Sequence, residues 1–128
     1  MMILKNATIV TAEKEAVGTV IIDDGLISDV FFKDAEDYDF RLFKALKKEA
    51  EVIDLEGKWM MAGGIDAHVH FREPGLTHKA DIYTESRAAV AGGVTTVFDM
   101  PNTNPATITA EALKGKLELA EGRSVANI

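Results

Sequence analysis

The sequence lacks cysteine, and this absence excludes both disulfide bonds and thiolate ligands for a metal. Any metal site must therefore use nitrogen and oxygen ligands. Basic residues are also few, with 14 Lys and Arg against 21 Asp and Glu, which gives a formal net charge of -7. Because no run of basic residues is present to follow a phosphate backbone, we expect no nucleic-acid partner.

Long apolar runs are missing as well, and we expect no secretory leader. No stretch is long enough to cross a bilayer, and the first residues turn polar at Lys5 and Asn6. We therefore expect no membrane partner and a cytoplasmic location. What is present is a chain of 128 residues with 47% apolar content, which is enough for one ordinary domain with a core.

The first part of the chain reads as a small β layer. Alternating apolar residues predict strands at 3–10, 19–23, 26–32, 51–55 and 59–61. Asp24-Gly25 predicts a tight hairpin turn, because such a turn needs positive φ angles. The charged segment 34–50 favours a surface helix or an excursion loop, with a short apolar stripe formed by Phe40, Phe43, Ala45 and Leu46.

From Gly63 onward, strands alternate with amphipathic helices. The pattern predicts strands at 65–71 and 94–100, helices at 81–91 and from Thr109 to Gly122, and a last strand that begins at 124. The inner face of the second helix is predicted to consist of Leu113, Leu117 and Ala120. This βαβαβ order indicates an α/β fold with a parallel sheet, either doubly wound or a barrel. An eight-fold barrel needs roughly 250 residues, so we expect a chain truncated after about two βα units.

The strand predicted at 65–71 contains the residues with the most chemistry. Successive side chains on a strand point to opposite faces, which places four polar residues on one face: Asp66, His68, His70 and Arg72. The other face is apolar and is expected to pack on helices: Ile65, Ala67, Val69 and Phe71. The two imidazoles lie about 6 to 7 Å apart along the strand, close enough to reach one divalent metal. A lone His-x-His is more often a plain polar face, so both interpretations stay open here.

Other polar residues also allow two interpretations each. Arg72 either binds an anionic substrate or forms a salt bridge, for example to Glu73. Asn102 either donates to a substrate or stabilises a turn, which is the role expected of Asn104. Asp66 and Asp99 either orient an imidazole or are carboxylates satisfied by backbone N–H groups. His78 is expected to be a solvated or packed loop residue.

Two segments in order, at a suitable spacing, resemble the signatures of the dihydroorotases in the metal-dependent amidohydrolase superfamily. The first is His68-Val69-His70-Phe71-Arg72-Glu73-Pro74-Gly75, and the second is 88–93 followed by Met100-Pro101-Asn102-Thr103-Asn104-Pro105. The likeness covers nearly the whole chain, although Ala62 stands where family members often have proline. It implies that 1–62 are part of a small β-sandwich domain and that 63–128 start a (β/α)8 TIM-like barrel.

The same resemblance implies the function. It is the reversible, metal-dependent hydrolysis of the cyclic amide of dihydroorotate to N-carbamoyl-aspartate, in de novo pyrimidine biosynthesis. His68 and His70 would bind one or two Zn²⁺ ions, and Arg72 and Asn102 would hold the substrate carboxylate. The remaining metal ligands and the general base are expected beyond Ile128. We also expect a homo-oligomer, in the form of a dimer.

Three competing functions stay open. Hydantoinase-like and allantoinase-like enzymes share the His-x-His strand and the cyclic-amide chemistry, but the pair of Arg72 and Asn102 favours a substrate with a carboxylate. A non-catalytic scaffold related to the dihydroorotases is the second alternative. The third is a β-rich binding module, which would hold no zinc. The 128-residue piece alone is expected to be inactive.

Overall fold

The chain forms two compact units, Met1–Ala62 and Gly63–Ile128, and the computed structural model describes all 128 residues. The elements in chain order are β1 (Met2–Val10), β2 (Glu15–Asp23), β3 (Leu26–Phe32), α1 (Tyr38–Leu46), β4 (Glu51–Asp54), β5 (Trp59–Met60), β6 (Gly64–Val69), α2 (Ile82–Ala91), β7 (Val94–Asp99) and α3 (Ala110–Ala120). None of the three helices combines the length and the apolar character that a membrane crossing requires.

The first unit contains one mixed five-stranded sheet. Its order is β3-β2-β1-β4, and β5 pairs with β1 further along that strand. The β1–β2 and β2–β3 pairs are antiparallel, whereas β4 and β5 run parallel to β1. Asp24 and Gly25, with φ angles of 48° and 75°, join β2 to β3 directly after the Asp23–Leu26 pair. This confirms the predicted hairpin turn, since both central residues need positive φ.

Segment 34–50 contains a helix, the first of the two predicted alternatives, and Ala45 is the only buried residue of the predicted apolar stripe. The buried residues of α1 are Tyr38 and Ala45, which pack in the cluster of Ile3, Ile21 and Phe31. The stripe residues are mostly exposed, at 62% for Phe40, 56% for Phe43 and 46% for Leu46. Tyr38 can be buried because its hydroxyl hydrogen-bonds to that of the buried Thr19, at 3.0 Å.

The end of β4 is fixed by the carboxylate of Asp54. It accepts hydrogen bonds from Lys5 Nζ at 2.7 Å, from Asn6 Nδ2 at 2.9 and 3.0 Å, and from the backbone N–H of Glu56 at 3.0 Å. These donors, with the Lys5 ammonium first, lower the pKa of Asp54 to about 2. Asn6 and Glu56 both have positive φ, so one carboxylate holds the register shift inside β1 and the turn after β4 in place.

We expect Asp54→Asn to lower the free energy of unfolding of this unit at pH 7 and to have little effect near pH 2. The folded pKa of Asp54 lies below the unfolded value of about 3.9, so its contribution is complete above pH 4 to 5 and is lost as the pH falls toward 2. Denaturant titration of both proteins at pH 7, 4 and 2 measures this. Glu13→Gln, an exposed site outside the cluster, is the control. A constant difference across the pH range would contradict the assignment.

The second unit has the predicted alternating order. Strands β6 and β7 pair in parallel, α2 connects them, and α3 follows β7. Thr109 caps α3 with its side chain, as predicted. A single parallel bridge joins Thr96 to Asn127, inside the last predicted strand. The structure therefore confirms the mixed α/β order with parallel strands, while the complete barrel and the β-sandwich stay predictions.

The packing of this unit differs from the prediction at two places. Its buried cluster contains Phe71, Ile82, Val97 and Ala120, whereas Ile65, which was predicted to pack on helices, is 69% exposed. The β6–β7 register also shifts, between Gly64 and Ile65 and again between Asp66 and Val69, so the pairing of the two strands is irregular there. On α3, two of the predicted inner residues, Leu113 and Leu117, are about half exposed, at 51% and 50%.

Candidate active site

The two histidines of the His-x-His pair lie together at the carboxyl end of β6. The strand ends at Val69 and not at Phe71 as predicted, so His68 is inside the strand and His70 directly follows it. Their ring centroids are 5.2 Å apart, with an angle of 70° between the ring planes. Both side chains are exposed. At His68 only the backbone N–H makes a hydrogen bond, which it donates to the Asp66 carboxylate. Neither imidazole is therefore occupied by a hydrogen bond within the chain.

The histidine pair fits part of a zinc site. Imidazole nitrogen is a preferred zinc ligand, and a catalytic centre uses three protein ligands together with water. No group of three or more His, Asp or Glu side chains in these 128 residues comes together in a way that could hold a metal ion. The chain itself therefore brings together two residues that suit such a site, His68 and His70, and both their role as ligands and the remaining ligands stay predictions.

Arg72 lies two residues beyond His70, in a half-buried position with a φ of 67°. The predicted alternative, a salt bridge to Glu73, is not formed. Glu73 instead binds Arg123 at 2.8 and 3.1 Å and accepts the backbone N–H of Ile82 at 3.0 Å. Arg123 and this N–H hold the pKa of Glu73 below its ordinary value, despite the opposing effect of burial. The guanidinium of Arg72 consequently has no carboxylate partner within the chain.

Asn102 lies in the loop that follows β7, and its side chain is exposed. The loop is organised by Thr103, whose buried hydroxyl hydrogen-bonds to the Pro105 carbonyl at 2.7 Å and to the Thr107 hydroxyl at 2.8 Å. The turn is thus held by a threonine and not by the side chain of either asparagine. The amide of Asn102 is left available for a ligand.

The loops after β6 and β7 touch each other. The backbone N–H of Asn104 donates to the carbonyl of Pro74 at 3.0 Å. Gly75, at a φ of 82°, lies so close that a Cβ there would collide with the Asn104 carbonyl. The arginine loop and the asparagine loop are therefore fixed to one another at the carboxyl ends of neighbouring parallel strands.

We expect Gly75→Ala to destabilise this contact. Alanine would be strained at positive φ and would push the two loops apart, at a cost of about 1 to 3 kcal/mol in unfolding free energy. Denaturant titration measures the change. The control is Gly115→Ala on α3, where a Cβ meets no atom within 4 Å and the helix gains from alanine. Equal destabilisation by the two substitutions would contradict the close-contact explanation.

The other three polar residues considered for the site are Asp66, Asp99 and His78. Asp66 accepts the backbone N–H of His68 at 3.0 Å, and Asp99 accepts that of Phe71 at 2.9 Å, so neither contacts an imidazole. These contacts favour the backbone-binding interpretation of both carboxylates. His78 is exposed in the loop before α2, as expected.

Sequence reasoning missed the buried Lys116, whose ammonium lies 2.7 Å from Asp99. A signal for it existed, because Lys116 lies at helical spacing among apolar residues of α3. A lysine on such a face requires a buried acidic partner. The link from Glu73 to Arg123 was missed as well, since these residues are 50 positions apart and no local pattern connects them.

Polar side chains at the carboxyl ends of parallel strands define the class of α/β proteins whose sites are built from strand-to-helix loops. Within that class, residues 59–125 match the Amidohydrolase family, and the chain belongs to that family.

Similar proteins agree with this assignment. A dihydroorotase of Carboxydothermus hydrogenoformans is 42% identical over 106 residues, which cover 81% of this chain and 22% of that protein. A dihydroorotase of Methanosarcina mazei is 40% identical over 122 residues, which cover 95% of this chain and 25% of that protein. The chain therefore spans about a quarter of the length of these relatives.

A solved structure shares the fold. The L-hydantoinase (dihydropyrimidinase) from Arthrobacter aurescens superimposes with a TM-score of 0.75 at 28% identity, over 93% of this chain and 24% of that chain. The sequence relatives and this structural relative are thus named for different activities, although both are similar to this chain over most of its length.

Proposed function

We propose that the protein containing this chain is a dihydroorotase, which reversibly hydrolyses the cyclic amide of dihydroorotate to N-carbamoyl-aspartate. The main supporting observation is the contact between the two loops, because it keeps Arg72 and Asn102 on adjoining segments beside the histidine pair. The relatives at 40 and 42% identity, both named dihydroorotase, support the same activity.

In this proposal His68 and His70 are two ligands of a zinc centre of one or two ions. Their exposed rings, 5.2 Å apart and without hydrogen bonds of their own, suit that role. Bound zinc supplies Lewis-acid chemistry, which lowers the pKa of water and polarises a carbonyl group. The further ligands and an aspartate general base belong, in this proposal, to the part of the relatives' length that this chain does not span.

Arg72 and Asn102 bind the substrate carboxylate in this proposal. A guanidinium offers two parallel N–H donors to a carboxylate, and a side-chain amide adds a neutral donor. Arg72 has no acidic partner of its own in the chain, so its charge is available for an anionic substrate. Both residues fix the orientation of the ring before its amide bond is hydrolysed.

A hydantoinase is the second candidate, because the solved structure described above is a hydantoinase that covers 93% of this chain. Hydantoin itself has no carboxylate, so a hydantoinase does not need the arginine and asparagine pair. A comparison of the activities toward dihydroorotate and toward hydantoin therefore distinguishes the two candidate functions.

The test compares dihydroorotate, N-carbamoyl-aspartate and hydantoin as substrates of the full-length, zinc-loaded protein. We expect turnover of the first two and at least about a tenfold lower kcat/KM for hydantoin, since a charge-assisted hydrogen bond contributes about 1.5 to 3 kcal/mol. A preference for hydantoin would establish the second candidate. Zinc binding without turnover of any of the three would indicate a non-catalytic scaffold, and a protein without zinc would indicate a binding module.

A further inference from the structure

The second unit contains a buried ion pair that the proposed chemistry does not use. The ammonium of Lys116, on α3, lies 2.7 Å from Oδ2 of Asp99, the last residue of β7. The two side chains are only 6% and 2% exposed. Oδ2 makes no aligned hydrogen bond, so its charge is compensated by the nearby ammonium through electrostatic attraction.

Both partners of this pair also contact the main chain of the two site loops. The other oxygen of Asp99 accepts the backbone N–H of Phe71 at 2.9 Å, and Phe71 stands between His70 and Arg72. The ammonium of Lys116 donates to the Met100 carbonyl at 3.3 Å, two residues before Asn102. The backbone N–H of Met100 in turn donates to the carbonyl of Val69, the residue before His70.

Stability alone does not explain a lysine at this position. Its neighbours three or four positions away on the helix, Ala112, Leu113 and Ala120, are apolar, and an apolar side chain would continue the same face. A buried ion pair is often no more stabilising than well-packed apolar residues, but it fixes its surroundings in one geometry. The contacts with Phe71 and Met100 identify which segments are fixed.

We propose that Lys116 is a positioning residue for the candidate active site, an inference that rests on the proposed function. Through Asp99 it fixes the segment with the metal-binding His70 and the substrate-binding Arg72. Through the Met100 carbonyl it fixes the segment with Asn102. Lys116 itself touches neither metal nor substrate. One helix residue thereby sets the position of the zinc ligand and of the carboxylate-binding pair together.

The test uses three variants of the full-length protein, Lys116→Met, Asp99→Asn and the double variant. Lys116→Met leaves a buried carboxylate unpaired, so it should lower the thermal midpoint, reduce zinc affinity about 10- to 100-fold and raise the KM for dihydroorotate. The double variant removes the unpaired charge and keeps an acceptor for the Phe71 N–H. It should therefore recover the thermal midpoint and most of the zinc affinity.

The KM for dihydroorotate distinguishes a positioning role of Lys116 from a purely stabilising role. The double variant still lacks a donor for the Met100 carbonyl, so we expect its KM to stay at least about tenfold raised while its kcat equals that of the wild type. A double variant with wild-type thermal midpoint and wild-type KM would overturn the proposal. Lys114→Met, on the same helix but with a side chain 79% exposed, is the matched control and should change none of these values.

Two readouts do not depend on turnover. Amide hydrogen exchange at Phe71 should accelerate in Lys116→Met, and zinc affinity is measured by competition with a chelator. If the protein does not hydrolyse dihydroorotate, the proposed function fails while these two measurements still decide the role of Lys116. Unchanged exchange at Phe71 together with unchanged zinc affinity would refute it.

Discussion

Replacing His70 by alanine is expected to remove zinc and turnover together. The imidazole of His70 is one of the two rings that form the His-x-His pair, and in the proposed function a single remaining imidazole, that of His68, would be a weak ligand. Loss of a catalytic metal removes several kcal/mol of transition-state stabilisation, so kcat/KM should fall by at least about 1,000-fold. Metal analysis of the purified variant and steady-state kinetics with dihydroorotate measure both effects.

The fold should survive this substitution. The side chain of His70 is exposed and makes no hydrogen bond, so the circular dichroism spectrum and the thermal midpoint of the zinc-free proteins should match. His78→Ala is the matched control, because it removes an exposed histidine from the same unit without touching the pair. A His70→Ala protein with stoichiometric zinc and normal turnover would disprove the metal-ligand assignment.

Replacing Arg72 by methionine should raise the KM for dihydroorotate about 10- to 150-fold and leave the zinc content unchanged. The expected size follows from the loss of a charge-assisted hydrogen bond, about 1.5 to 3 kcal/mol. Both residue types experience the same cost of the left-handed backbone at this position, so the comparison isolates the guanidinium. Arg72→Lys keeps the charge without the paired donors, so its KM for dihydroorotate should lie between those of the wild type and of Arg72→Met.

The substrate series makes this prediction specific. Any activity toward hydantoin, which has no carboxylate, should be unaffected by Arg72→Met, because the lost interaction does not exist for that substrate. Arg87→Met on α2 is the matched control, since Arg87 is exposed and bonds only to the Tyr83 hydroxyl. An unchanged KM for dihydroorotate in Arg72→Met would refute the carboxylate role.

Features fixed by neighbouring residues could be predicted from the sequence. The Asp24-Gly25 turn, the cap at Thr109 and the parallel strands β6 and β7 depend on local conformational preferences and on hydrophobic periodicity. The proximity of His68 and His70 was predictable for the same reason. Two residues apart on an extended chain, their side chains point in similar directions.

Features decided by distant contacts could not be predicted in the same way. The buried face of α1 depends on the hydrogen bond between the hydroxyls of Tyr38 and Thr19, which no helical periodicity reveals. The end of β6 depends on Asp99, because the Phe71 N–H donates to the carboxylate of Asp99 and not to a neighbouring strand. The contact between the two site loops depends on the absence of a side chain at Gly75, and its partner Asn104 is 29 residues away.

The φ of 67° at Arg72 has a consequence for how this protein evolves. A left-handed backbone costs a residue with a side chain about 1 kcal/mol, whereas glycine adopts it freely and asparagine tolerates it. Selection for folding stability therefore favours glycine or asparagine at position 72, and selection for the proposed activity favours arginine. Arginine at this position is thus a trade-off, in which a strained backbone conformation is kept because the proposed activity needs the guanidinium.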